Sequence, residues 1–241
     1  MQQMSISSRS PAFPPRNTAD AGKIADGSSL LPPSLPAILP PCAPGMRIGL
    51  FGGTFNPPHE GHRLASLIAL RRLRLSSVWW LVTPGNPLKR NDGLPPMASR
   101  LAAARRMADH PRIAVTGLEA DIDTRFTYDT VAWLVRRRPH VRFVWIMGAD
   151  NLHNFHRWQR WVDIARLMPI AVVDRPESTL RGTRSRAASR FERWRQPESG
   201  AASFATLDPP AFVFLHGPRS DLSSTELRRR GLGLAASDPA R

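Results

Sequence analysis

The sequence predicts an α/β domain organised around a doubly wound parallel sheet. Three observations predict it. From Met46 onward, short apolar runs alternate with stretches of helical length, the order that builds parallel strands with covering helices. The runs are apolar at successive rather than alternate positions, as at Val78–Val82 and Phe143–Met147, which marks strands covered on both faces. The unusual polar residues gather just past the runs, and such sheets bind ligands at the carboxyl ends of their strands.

Residues 1–45 stand apart. They hold nine prolines and seven serines, with Phe13 the lone aromatic. Such a segment buries too little to offset its ordering entropy and reads as a disordered extension. Leu30–Leu39 is apolar, but prolines interrupt it and no basic region directly precedes it, unlike a secretory signal. Met46 is a candidate translation start. The folded domain is expected over 46–232, with 233–241 a flexible tail. Arg47–Phe51 is its first strand, and a glycine-rich turn leads to a helix over Gly61–Arg74. Ser77–Thr83 is the second strand, Ala98–His110 a helix stopped by Pro111, and Ile113–Thr116 a short strand. Thr127–Arg138 is a helix ended by Pro139, and Arg142–Met147 the strongest strand. Trp158–Met168 is a helix, Pro169–Val173 a strand, Arg184–Gln196 a helix, Ala211–Leu215 the last strand and Ser223–Arg230 the last helix.

Composition narrows the function. The 241 residues carry 34 Lys+Arg against 19 Asp+Glu, a net charge of +15, and 41% are hydrophobic. That length suits one medium domain or two small ones, and the apolar share can build a real core. The basic excess is almost all arginine, since Lys23 and Lys89 are the only lysines. Most arginines sit where helices should end, as at Arg136–Arg138 and Arg228–Arg230, and cations favour the negative end of the helix dipole. Arg184–Arg195 is the one patch open to an anionic partner. The single thiol, Cys42, excludes a disulfide scaffold, and no run nears the roughly 18 apolar residues of a spanning helix. A soluble, cytoplasmic protein is expected, with no membrane partner.

The residues that carry chemistry begin at Gly52-Gly53-Thr54-Phe55-Asn56-Pro57-Pro58-His59-Glu60-Gly61-His62. Adjacent glycines let backbone approach a ligand closely and turn amides toward phosphate oxygens. The helix that follows points its positive end at the same place. His59 and His62, three apart, can both reach one anion there. Blander readings are capping histidines in a strand-to-helix turn, or half of a zinc site with no local cluster to complete it. The turn is not G-x-G-x-x-G, which excludes the dinucleotide fingerprint. Leu222-Ser223-Ser224-Thr225-Glu226-Leu227-Arg228 opens the last helix; alone, it is an N-cap.

Together, in this order and at the two ends of an α/β pattern, these stretches resemble the signatures of the H-x-G-H nucleotidyltransferase superfamily. Three more resemble its bacterial nicotinate-mononucleotide adenylyltransferases: Thr83-Pro84-Gly85-Asn86-Pro87-Leu88-Lys89, Phe126-Thr127-Tyr128-Asp129-Thr130, and Met147-Gly148-Ala149-Asp150-Asn151 with Trp158 beyond. The resemblance covers Met46 to Arg230 and implies a single Rossmann-like domain. It implies that ATP is bound by Gly52, Gly53, Thr54, Phe55, His59, His62, Gly148, Asp150, Ser224, Thr225 and Arg228. His59, His62, Lys89 and Arg228 would be the catalytic set, meeting phosphate charge. Lys89, Thr127, Trp158 and Gln159 would hold nicotinate mononucleotide, with Trp158 stacked on the pyridine ring. Mg²⁺ would arrive on the ATP phosphates, with no protein metal site. Each residue has a plainer reading too: Asp150 as a helix N-cap, Thr127 as a cap, Trp158 as packing. Phe126, Trp133, Trp145 and Trp161 are assigned to the core.

The chain departs from the family pattern in places. Pro87-Leu88-Lys89 stands where Pro-His-Lys is common, and Arg125-Phe126 where Ser-Tyr is usual. Arg175-Pro176 matches a family Arg-Pro without the following glycine, and 176–210 match nothing in it. Rival readings are another superfamily adenylyltransferase, with nicotinamide mononucleotide or phosphopantetheine as acceptor, a cytidylyltransferase, and an Arg-rich nucleic-acid-binding protein, which no recognised motif supports.

Overall fold

The computed structural model describes residues 39–88, 91–174, 183–218 and 222–234. Lys89 and the Arg175-Pro176 pair lie outside them, as do 1–38 and 235–241. The described elements are β1 (Arg47–Gly53), α1 (Glu60–Arg72), β2 (Ser77–Val82), α2 (Met97–Ala108), β3 (Ile113–Thr116), α3 (Leu118–Asp121) and α4 (Thr127–Arg137). They continue with β4 (Arg142–Gly148), α5 (Ala149–Phe155), α6 (Trp161–Leu167), β5 (Ile170–Val173), α7 (Arg186–Phe191), β6 (Arg195–Gln196), β7 (Phe212–Leu215) and α8 (Ser224–Arg229).

The sheet order is β3-β2-β1-β4-β5-β7-β6, and every pairing is parallel. The expected doubly wound sheet is therefore present. Strands step outward from β1 through β2 to β3 on one side and from β4 to β5 on the other, with β7 next and the short β6 at the edge, so the winding reverses between β1 and β4. That reversal opens a crevice at their carboxyl ends, the place such sheets bind ligands.

The apolar runs divide by the two-residue period of a strand. Ile48, Leu50, Trp79, Leu81, Trp145 and Met147 face one core with Val131 and Leu134 of α4 and Phe155 of α5. Phe51, Val78, Trp80, Val144 and Ile146 face the other with Ala65, Ala69 and Leu70 of α1 and Ala104 of α2. Gly52 is where the sheet is tightest. A Cβ there would stand 2.8 Å from the buried Trp145 ring, so only glycine lets this strand end lie flat on the indole.

Several elements differ from expectation. The helix expected over Arg184–Gln196 is only α7, because a 3₁₀ turn at Glu192–Trp194 follows and Arg195–Gln196 pair with β7. A second 3₁₀ stretch, Glu198–Thr206, buries Phe204 and Ala205. The helix expected from Trp158 starts at Trp161, because Arg160 takes a left-handed conformation (φ 53°) ahead of it. Arg160 is held there by Asp163 at 3.0 Å and by the Tyr128 ring at 3.6 Å. Part of the proline-rich segment also belongs to the domain. Leu39 and Cys42 pack against the core, and the Gly45 amide donates to the His140 carbonyl at 2.8 Å.

One polar chain fixes the start of α1. The Trp80 Nε1–H donates to Ser66 Oγ at 2.8 Å, and that hydroxyl donates to the His62 carbonyl at 2.9 Å. Trp80 and Ser66 are both fully buried. Ser66→Ala leaves the indole N–H without this acceptor, which should cost about 1–3 kcal/mol in urea unfolding. An unchanged midpoint would show that the indole finds another acceptor.

Candidate active site

β1 delivers Gly52, Gly53 and Thr54 to the crevice, and the chain turns at Phe55, whose backbone is left-handed (φ 48°). A non-glycine residue there is strained, and packing compensates. The Phe55 ring stacks on Trp80 at 4.8 Å with 17° between planes and is buried, so this ring serves the core while the residue borders the cavity. Beyond the turn the histidines open α1. His59 is its N-cap, His62 its third residue, and the two form a capping box. The His59 backbone N–H donates to His62 Nδ1 at 3.2 Å, and the ring centroids lie 3.8 Å apart.

α8 stands across the same opening. Ser223 caps it, accepting from the Glu226 amide at 3.1 Å. The Ser224 hydroxyl donates to the Pro57 carbonyl at 2.9 Å. The Arg228 guanidinium donates to the Asn56 carbonyl and to Thr225 Oγ1. The two end motifs, far apart in sequence (167 residues for the Ser224–Pro57 bond), are thus bonded to one another directly.

The third wall comes from the α4 and α5 side. Gly148 caps α5 and is buried behind the cavity, and Asp150 is the second residue of that helix. Asp150 is therefore not the N-cap it was weighed as. Thr127 likewise is not a cap: Phe126 is the N-cap of α4 and Thr127 its first residue. Trp158 meets Trp145 and Phe155 edge to face at 6.0 and 5.3 Å, so packing holds a ring that also borders the cavity. Phe126, expected in the core, is only half-buried and lines the cavity, with the Arg125 guanidinium 5.7 Å from its ring.

These walls enclose a cavity of about 530 Å³. Gly52, Gly53, Thr54, Phe55, His59 and His62 line it. So do Thr127, Asp150, Trp158, Gln159, Ser224, Thr225 and Arg228. Gly148 does not line it, and Lys89 lies outside the described residues. No three His, Cys, Asp or Glu side chains converge as a metal cage among the described residues.

The loops around the cavity are tied by a residue that sequence reasoning passed over. Arg100 of α2 is 2% exposed. Its Nε donates to the Pro95 carbonyl at 2.9 Å, Nη1 to the carbonyls of Thr54 at 3.1 Å and Thr83 at 2.6 Å, and Nη2 to that of Pro84 at 3.2 Å. One guanidinium thereby joins the turn after β1 to the loop after β2. Burial lowers its pKa from the ordinary value, yet arginine stays charged. The available signal was position: Arg100 shares the buried stripe of α2 with Ala103, Ala104 and Ala108.

Comparison with known proteins agrees with this geometry. The cytidylyltransferase-like family model matches residues 50–230. The chain belongs to this family. A relative from Methylorubrum extorquens, named "Probable nicotinate-nucleotide adenylyltransferase", is 60% identical over 185 residues, which cover 77% of this chain and 100% of that protein. One of the same name from Brucella abortus is 54% identical over 192 residues, covering 80% of this chain and 99% of its own length. Among solved structures, the Plasmodium falciparum nicotinic acid mononucleotide adenylyltransferase complexed with NaAD superposes with a TM-score of 0.57 at 15% identity. That match covers 76% of this chain and 83% of the other, and supports the fold.

In this cytidylyltransferase-like chain, a second overlooked residue is Glu119 of α3, 5% exposed and on the cavity wall. Burial pushes its pKa up to about 7, against the opposing hydrogen bonds of the Thr83 and Thr130 side chains. The folded chain keeps a proton that the unfolded chain releases. Stability from this group is therefore full below the ordinary glutamate range and is lost as pH climbs to about 7. Glu119→Gln should remove that loss. From about pH 5 to about pH 8 the wild type should lose about 3 kcal/mol that the variant keeps, read from urea melts at each pH. Parallel stability curves would contradict the buried protonated carboxyl. Arg100→Met should strand several carbonyls and lower stability by about 3 kcal/mol, with a limited-proteolysis cut newly exposed between residues 83 and 96. A variant as stable and as resistant as wild type would show the clamp to be dispensable.

Proposed function

We propose that this chain is a nicotinate-nucleotide adenylyltransferase. It joins the AMP moiety of ATP to nicotinate mononucleotide, giving deamido-NAD and pyrophosphate. The observation that carries the reading is one cavity bordered at once by the glycine–histidine turn, the Ser-Thr-Arg start of α8, and the Thr127, Asp150 and Trp158 wall. The names of relatives matched over their full length support it.

The step is a direct in-line attack of the mononucleotide phosphate on the α-phosphorus of ATP. A P–O bond forms there while the bond to the β-phosphate oxygen breaks, and pyrophosphate carries off the electron pair. A phosphate monoester is already an anion at neutral pH, so neither a general base nor a covalent intermediate is required. The chain's task is to hold two anions together and to meet the charge of the leaving group. The Gly52, Gly53 and Thr54 backbone approaches the phosphates. His62 accepts from the His59 amide through Nδ1, which in a neutral ring places the proton on Nε2. That N–H can donate to a phosphate oxygen without the ring becoming charged. Ser224, Thr225 and Arg228 meet the β- and γ-phosphates from the other side, the guanidinium as a clamp, and Lys89 adds a point charge. Asp150 accepts from ribose hydroxyls, Trp158 stacks on the pyridine, and Thr127 and Gln159 face its carboxylate.

Among the described residues, the acidic side chains on the cavity wall are Asp92, Glu119 and Asp150, and they do not converge as a metal cage. Mg²⁺ fits as part of the ATP complex, its ligands phosphate oxygens and water, supplying charge neutralisation. The reading puts the reaction in the cytoplasm; no helix of the described residues is long and apolar enough to cross a membrane. Among the basic residues 184–195, Arg193 lies over the Trp194 ring at 3.8 Å and Arg195 over Phe214 at 4.9 Å, with Glu192 paired to Arg195. These contacts favour a local packing role over nucleic-acid binding.

Pyrophosphate release from ATP and Mg²⁺ should occur with nicotinate mononucleotide in preference to nicotinamide mononucleotide. His62→Ala should slow it by roughly two to four decades in a chain that still folds, the lost cap costing about 1 kcal/mol. Wild-type turnover in that variant would remove the histidine's role. Release only with phosphopantetheine would replace the acceptor.

A further inference from the structure

The β1–β2 ladder stops at the edge of the cavity. Its last bond joins the Thr83 amide to the Gly53 carbonyl at 3.0 Å. The next carbonyls along the two chains, those of Thr54 and Thr83, both accept from Arg100 Nη1. Beyond this point the chains part. One becomes the turn that opens α1, and the other becomes the loop that opens α2. Both roots of that loop rest on the same guanidinium, Pro84 through Nη2 and Pro95 through Nε.

The loop is also braced within itself. The Thr83 hydroxyl donates to the Gly85 carbonyl at 2.7 Å. Asn86 and Asn91 bond each other in both directions, the Asn86 amide to Asn91 Oδ1 at 2.9 Å and Asn91 Nδ2 to the Asn86 carbonyl at 3.3 Å. Braced at its neck and held at both roots, the loop presents Gly85, Asn86, Asn91 and Leu94 to the cavity, and the turn presents Thr54. Arg100 is buried behind both and does not line the cavity. Its bonds fix the distance between two walls without touching what lies between them.

Resting on the adenylyltransferase reading, which sets ATP against the turn and the mononucleotide against the loop that carries Lys89, we infer that Arg100 is a positioning residue that sets the spacing of the two substrates. In-line attack needs their phosphates within near-attack range. Arg100 gives little to either substrate alone. It acts where both halves are held at once, in the transition state and in the dinucleotide product that spans the two walls. A ligand joined across two walls gains the effective concentration of its second half only if the walls stand at its own span.

Titration calorimetry with ATP and Mg²⁺, with nicotinate mononucleotide and with deamido-NAD, each alone, separates this role from a merely structural one. Affinity does not depend on the fraction of chain that is folded, and the stoichiometry counts the sites. Arg100→Met should weaken deamido-NAD by about tenfold or more while changing each single substrate by less than about threefold. Turnover per titrated site should fall by about a hundredfold, the cost of a misplacement of roughly 1 Å, with both KM values nearly unchanged. Arg100→Lys keeps the charge but reaches fewer carbonyls, and should fall between wild type and Arg100→Met in both readouts. It carries the test alone if Arg100→Met does not fold. Equal weakening of all three ligands would mark a site loosened as a whole and overturns the spacing role. Wild-type affinity for deamido-NAD, or wild-type turnover per site, in the most altered variant that folds overturns it too. If wild type binds ATP but neither pyridine ligand, the functional reading itself fails and this inference with it.

Discussion

Parallel pairing of β1 on both sides is the constraint from which the site follows. β1 lies between β2 and β4, with Gly49 opposite both Val78 and Val144. Once the chain has wound outward through β2 and β3, it must cross back to begin β4 and wind the other way. The crossing leaves the carboxyl ends of β1 and β4 without a covering helix between them. Into that gap β1 extends its glycines, and β4 extends the turn that places Asp150. The cores on the two faces hold this arrangement with interleaved side chains, Trp79 and Trp145 on one and Trp80 with Phe55 on the other.

Three sets of polar groups beneath the cavity answer a second constraint, the cost of burying a donor or acceptor without a partner. Trp80, Ser66 and the His62 carbonyl form one such chain. Arg100 and its carbonyls form another, and Glu119 with its threonines a third. Each begins on a covering helix or a core strand and includes a residue that borders the cavity. The same bonds that satisfy the interior therefore fix part of the cavity wall. At the floor of the site the charged Arg100 guanidinium is met by four main-chain carbonyls rather than by a carboxylate.

Much of this was legible in the residues. Continuous apolar runs located the long strands because burial on both faces leaves a plain signature, and the His59 and Ser224 motifs marked two stretches that meet at one cavity. Short elements were not legible. β6 is two residues paired to β7, and α3 is a single turn; neither is long enough to show a period. The start of α6 was misplaced because Arg160 adopts a conformation that its residue type disfavours, stabilised by tertiary contacts to Tyr128 and Asp163. Phe126 looked like core because hydrophobicity alone does not say whether a ring faces other rings or a cavity. Arg100 and Glu119 escaped for the converse reason. Charged residue types suggest surface, and only the fold reveals the carbonyls and hydroxyls waiting for them.

The Arg100 clamp also sets where the sequence can drift. The oxygens it holds are main-chain carbonyls, belonging to Thr54, Thr83, Pro84 and Pro95. A backbone carbonyl persists whatever side chain its residue carries. The loops can therefore exchange side chains to suit a different acceptor without surrendering their anchorage, as long as their backbone path is kept. The whole burden of invariance falls on a single helix position, leaving the cavity rim open to evolutionary change on a fixed frame.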